Sequence, residues 1–167
     1  MTVRKLTHMA VLTAVALTIF VLEAQLPPLV PMITGVKLGL ANLVTIVGLY
    51  LVGERGTACV TFTRIILVYF LFGRTFGLMY SLFGGGVSFL LMVFAKRRGW
   101  FGTVGVSIIG GIGHNLGQII AASILVGSGF VFAYFPVLLA AGTAAGSAIG
   151  LLGGILISRT EKYIKNL

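Results

Sequence analysis

The chain has 167 residues, of which 58% are hydrophobic and 9% charged, with a formal net charge of +9 and 24 glycines. A soluble fold of this size could not hide so much apolar surface, so the bilayer is the expected solvent and one membrane domain the expected count. Twelve lysines and arginines face three acids, all of them glutamates. In so apolar a chain, that excess of positive charge fits helix ends meeting lipid headgroups, not a nucleic-acid surface.

A spanning helix needs about 20 mostly apolar residues. Six such stretches can be drawn, over 6–23, 38–53, 56–72, 75–95, 102–127 and 130–157. The fold class predicted is therefore an all-α integral membrane protein, a compact bundle of six transmembrane helices in a single domain over 1–167. Arg4 and Lys5 precede the first stretch in the manner of a signal peptide, but no small-residue cleavage site follows. Ala10 and Ala14 lie four apart in this first helix, on one face. They predict either internal packing or a face for another membrane subunit.

Residues 24–37 join the first two stretches and carry three of the four prolines. Proline forbids a regular helix interior, and the segment is itself apolar, so a lid or half-buried plug is predicted there. Lys37 and Asn42 stand at the start of the second stretch. Arg64 lies eight residues before the end of the third, about 12 Å inward at 1.5 Å per residue. An arginine at that depth needs a cavity or a partner. Glu23 is the one acid that could reach it, because Glu54 and Glu161 belong with the opposite end; a structural pair and a ligand contact are both open. The fourth stretch carries Gly84-Gly85-Gly86, which loosens it.

The fifth stretch holds Gly113-His114-Asn115-Leu116-Gly117-Gln118. His114 and Gln118 share a face, with Asn115 beside it. These polar groups either bind neighbouring helices or, with the room that the glycines leave, line a pocket. Tyr69, Tyr80 and Tyr134 are candidate aromatic walls. In the last stretch Gly142, Gly146, Gly150 and Gly154 recur every four residues, the pattern of close helix packing in lipid.

Arg4, Lys5, Arg55, Lys96, Arg97, Arg98, Arg159, Lys162 and Lys165 can all lie on one side. The positive-inside bias makes that side the cytoplasm, with both termini in it and the chain in the cytoplasmic (inner) membrane. Lys37, Arg64 and Arg74 remain, and predict an electropositive pocket near the outer face. No phosphate-binding loop, aspartate-rich motif or Ser-His-acid grouping exists, so an enzyme is not expected, nor a cofactor. The two histidines and Cys59 are too far apart in the pattern for a metal site, so no metal is expected.

Four stretches, GVKLGLANLVTIVGLYLVG at 35–53, GGGVSFLLM at 84–92, GGIGHNLGQ at 110–118 and YFPVLLAAG at 134–142, resemble the family called heptaprenyl diphosphate synthase component I, or Gx transporter. That family is similar in turn to the substrate-binding S components of energy-coupling factor transporters. The resemblance implies six helices, a small-molecule site near the outer face, and docking through Ala10 and Ala14 on a membrane scaffold with ATPase subunits. It also implies ligands of a flavin or isoprenoid-related kind. The expectation is a binding and transport subunit for a small anionic molecule, with Lys37, Asn42, Arg64, His114, Asn115 and Gln118 as its binding residues. Its expected partners are that molecule, membrane lipid and the scaffold with its ATPases, with no nucleic acid. The alternative is a membrane anchor or regulatory subunit of a prenyl diphosphate synthase. An ion-coupled transporter acting alone is a third class, which inverted repeats would favour; none is evident.

Overall fold

The computed structural model describes residues 3–26, 39–73 and 75–165, with the side chains of 161 and 163–165 left aside. Every regular element among them is helical: α1 (Val3–Glu23), α2 (Asn42–Leu51), α3 (Glu54–Phe72), α4 (Thr75–Arg98), α5 (Thr103–Val126), a 3-10 turn (Gly129–Tyr134) and α6 (Phe135–Lys165). Five of these, α1, α3, α4, α5 and the 3-10 turn with α6, are long and apolar enough to cross a membrane. Large apolar side chains such as Phe70, Leu71, Phe76, Leu90 and Phe130 lie exposed along them. Lipid contact accounts for so much uncovered apolar surface better than water does.

The second predicted span is corrected. In place of a helix over 38–53, α2 has 10 residues, about 15 Å of rise and half of a hydrocarbon core. Both of its ends are fixed locally. Gly39 has φ of 78°, outside the helical region, and Gly53 has φ of 84°. Between Gly39 and the helix proper the chain makes tight turns, with Asn42 N–H donating to the Gly39 carbonyl at 2.8 Å and Leu43 N–H to that of Leu40 at 3.0 Å. At its far end Lys96 of α4 donates to the Leu49 carbonyl and sits 4.5 Å above the Tyr50 ring. A cation there suits the negative end of a helix.

The last predicted span, 130–157, falls within one apolar helical stretch, Gly129–Thr160. It opens as the 3-10 turn, where Ser128 Oγ accepts from Phe130 N–H at 3.2 Å, and α6 runs on to Lys165. Pro136 stands in the first turn of α6, where its missing N–H costs nothing.

Short α2 is the hub of the molecule. Among the described residues it touches all five other α-helices, while α1 packs on α2 and α3 alone. Ile46 and Leu49 are completely buried, in one cluster with Met92, Val106 and Ile149. Helices α5 and α6 run antiparallel with backbones in close approach. A Cβ on Gly146 would lie 2.7 Å from Cα of Ile108, and one on Gly150 2.7 Å from Cα of Val104; Gly142 meets the Gly111 carbonyl at 2.9 Å. Three of the four predicted packing glycines therefore serve this seam. Gly154 does not: it faces open space, because the helix faces drift apart beyond Gly150, and its neighbour Gly153 turns to Ile46 of α2 instead. The fifth helix also presses on α4, where a Cβ on Gly117 would fall onto the Phe83 carbonyl.

Helices α1 and α3 finish together, with the Phe20 and Phe72 rings 6.3 Å apart. At the opposite end Glu54, at the start of α3, pairs with Arg97, at the end of α4. The helices alternate in direction from there, so the described chain starts and finishes at this second end.

Candidate functional site

A cavity of about 750 Å³ opens at the end where α1 and α3 finish and α4 begins. It reaches down to the middle of α5. Its walls are largely apolar and aromatic, with Phe20, Val68, Phe72, Phe76 and Tyr80, and its polar side groups include Glu23, Arg64, His114 and Gln118.

Helical spacing explains the convergence. His114 and Gln118 are one turn apart on α5 and project together. Helix α4 has no side chain to block them: a Cβ on Gly84 would lie 2.9 Å from Gln118 Cγ and 3.0 Å from His114 Cε1. One residue on, Gly85 leaves the same kind of room for α3, 3.6 Å from an Arg64 guanidinium nitrogen and 3.3 Å from Ile65. Gly84 and Gly85 of α4 are thus the opening through which two other helices send their polar groups.

Arg64 is only 7% exposed. Its guanidinium lies 5.9 Å from the centre of the Phe20 ring, a cation–π contact. Among the described residues no acceptor takes a hydrogen bond from it, and the only ion pair is that between Glu54 and Arg97. A Glu23–Arg64 pair, one of the two readings left open by the sequence, is therefore not direct, although their charges attract.

Glu23 is engaged elsewhere. Its Oε1 accepts from the Gly39 N–H at 2.6 Å and from the Leu40 N–H at 3.2 Å. This bond ties the end of α1 to the turn that starts α2. It also seats Gly39 on the imidazole, where a Cβ would lie 2.7 Å from His114 Cδ2. Gly39 is thus required twice, by its positive φ and by this contact.

Of the six predicted binding residues, Arg64, His114 and Gln118 meet at the cavity. Asn42 is buried just behind its lining; its side-chain nitrogen, 3.0 Å from the place of a Gly39 Cβ, has no acceptor among the described residues. Asn115 turns away to α6, donating to the Leu138 carbonyl at 2.7 Å. It lies one residue, about 100°, from His114 on a 3.6-residue turn, which carries it onto the helix seam. Lys37 lies outside the described residues, as do Arg74 and nearly all of the predicted lid. Of the predicted aromatic walls, Tyr80 lines the cavity, while Tyr134 packs beside Ile119 and Leu138 and Tyr69 sits on the exposed face of α3. Sequence reasoning missed Phe20, Phe72 and Phe76 as walls and Glu23 as the clamp on the α2 turn. The sequence marks Glu23 only as the one acid at that end of the bundle and carries no signal for what it accepts from. Among the described residues no three His, Cys, Asp or Glu side chains are grouped to hold a metal ion.

These features define a class: an all-helical protein of membrane type, whose central short helix and glycine-packed neighbours frame an apolar cavity with a buried guanidinium. The chain belongs to the heptaprenyl diphosphate synthase component I family, which it matches over residues 12–156. No curated protein and no solved structure gives a match.

Proposed function

We propose that this protein is a six-helix, substrate-binding membrane subunit, akin to the S components of energy-coupling factor transporters, and not itself an enzyme. It holds a small vitamin-like molecule, of flavin or isoprenoid-related kind, in the cavity between α1, α3, α4 and α5. One observation carries the reading. Arg64 is buried at this cavity with five N–H donors and no acceptor for them among the described residues. A guanidinium left so inside a fold costs stability unless something else satisfies it, and a bound molecule does so. His114 and Gln118 orient that molecule from α5, with Asn42 behind them, and Lys37 supplies a further positive charge to it. Ala10 and Ala14 are both exposed on α1 and supply the docking face for a membrane scaffold with ATPase subunits.

The test is mass spectrometry of small molecules released from protein purified in lipid nanodiscs. Hydrogen bonds to a charged group contribute about 1.5–3 kcal/mol, so Arg64→Ala is expected to lose at least roughly nine-tenths of the co-purifying molecule. Retention at the wild-type level would overturn the assignment.

The family's description favours a second reading, a membrane anchor or regulatory subunit of a prenyl diphosphate synthase. Co-purification separates them: a scaffold with two ATPases supports transport, and an aspartate-rich soluble synthase supports anchoring.

A further inference from the structure

The two charges at the polar end of the cavity are opposite and held apart. Glu23 is fixed by the Gly39 and Leu40 amides, and Arg64 rests against the Phe20 ring. Neither reaches the other within ion-pair distance, yet both line the same space. A carboxylate accepts at about four lone-pair sites, and the two amides take only two of them. Arginine only donates. Gln118, which offers both kinds of group, lines the same space.

We propose that the cavity selects a ligand with a flat apolar body and a bipolar polar group of no net charge, and that Glu23 sets this preference. Such a group gives an acceptor to Arg64 and a donor to Glu23 at once. This inference rests on the cavity being a binding site. A phosphate or diphosphate would satisfy Arg64 but place like charge beside Glu23. The carboxylate cannot swing away, because releasing it strands two backbone amides. A cationic group meets the reverse conflict with Arg64. Rejection of the wrong charge is how such a site discriminates between ligands of similar shape. The aromatic walls, Phe20, Phe72, Phe76 and Tyr80, fit a ring-bearing body.

Three probes with one ring and different charge test the claim: phenylalanine, 3-phenylpropionate and phenethylamine. Each is titrated calorimetrically into the full chain in nanodiscs. Phenylalanine is expected to bind at least roughly tenfold tighter than either singly charged probe. Glu23→Gln keeps an acceptor oxygen for both amides, so the fold is retained. It is expected to weaken phenylalanine and phenethylamine by at least roughly tenfold and to leave 3-phenylpropionate as tight or tighter. The proposal is overturned if 3-phenylpropionate binds best to the wild type, or if Glu23→Gln leaves the ratio of phenylalanine to 3-phenylpropionate affinity unchanged. Should no probe bind while Arg64→Ala still loses its co-purifying molecule, the bipolar class fails and the binding site stands. Should no probe bind and Arg64→Ala lose nothing, the binding site fails as well.

Discussion

Glu23 carries two duties with one carboxylate. It closes the α2 turn through Gly39 and Leu40, and it faces the cavity beside Arg64. The first duty predicts a stability effect that needs no ligand. Glu23→Ala leaves two backbone amides without their acceptor, at a cost of about 1–3 kcal/mol for each that stays buried. Thermal unfolding of the ligand-stripped protein should show a clear fall for Glu23→Ala and a much smaller one for Glu23→Gln. Equal melting of all three proteins would mean that the clamp contributes nothing. The depth of Arg64 and the shared face of His114 and Gln118 were legible in the sequence, because both follow from counting residues along a helix. The role of Glu23 was not. It depends on where the chain returns after 24–37, and no periodicity fixes that. Asn115 was legible as polar and buried, but its direction turned on a single 100° step.

Among the elements, α2 and the α5–α6 seam decide the architecture. A hydropathy window cannot tell a 10-residue hub from a full span, since the residues flanking α2 are equally apolar; only Gly39 and Gly53 mark its limits. The glycine spacing of α6 was legible, and three of its four positions lie against α5, because spacing of four names a face but not where the neighbouring helix leaves it. That difference yields an internal control. A leucine at Gly146 would be driven into the α5 backbone, where overpacking costs at least about 2 kcal/mol, whereas Gly154→Leu enters open space. Denaturant titration in mixed micelles should show Gly146→Leu strongly destabilised and Gly154→Leu near wild type. Comparable losses at both positions would contradict the seam as described. The outcome also bears on the cavity, because α5 carries His114 and Gln118 and is positioned by that seam.

For the whole molecule, direction follows from two kinds of information that agree. Alternating helices bring the described start and finish of the chain to the end that carries Glu54 and Lys96–Arg98. The same end collects Arg4, Lys5, Arg55, Arg159 and Lys162. Short α2 does not disturb this, since α1 and α3 finish side by side and the chain between them must return. The positive-inside bias predicts that this end faces the cytoplasm and that the cavity opens toward the outside. Reporter fusions in a bacterial inner membrane test the arrangement. A fluorescent protein after Leu167 should be bright, because it folds on the cytoplasmic side, and alkaline phosphatase inserted after Gly73 should be active, because it folds on the other. An inactive phosphatase at Gly73 would point to an even number of crossings before it or an inverted bundle, and would turn the cavity inward. Reversing the cluster Lys96-Arg97-Arg98 to glutamates removes three of the nine charges that set the bias. Because the bias is counted over all short connections, the remaining six should hold most molecules in the original orientation. Removing Arg4 and Lys5 as well should raise the inverted fraction, read as a fall in fluorescence from the carboxyl-terminal reporter.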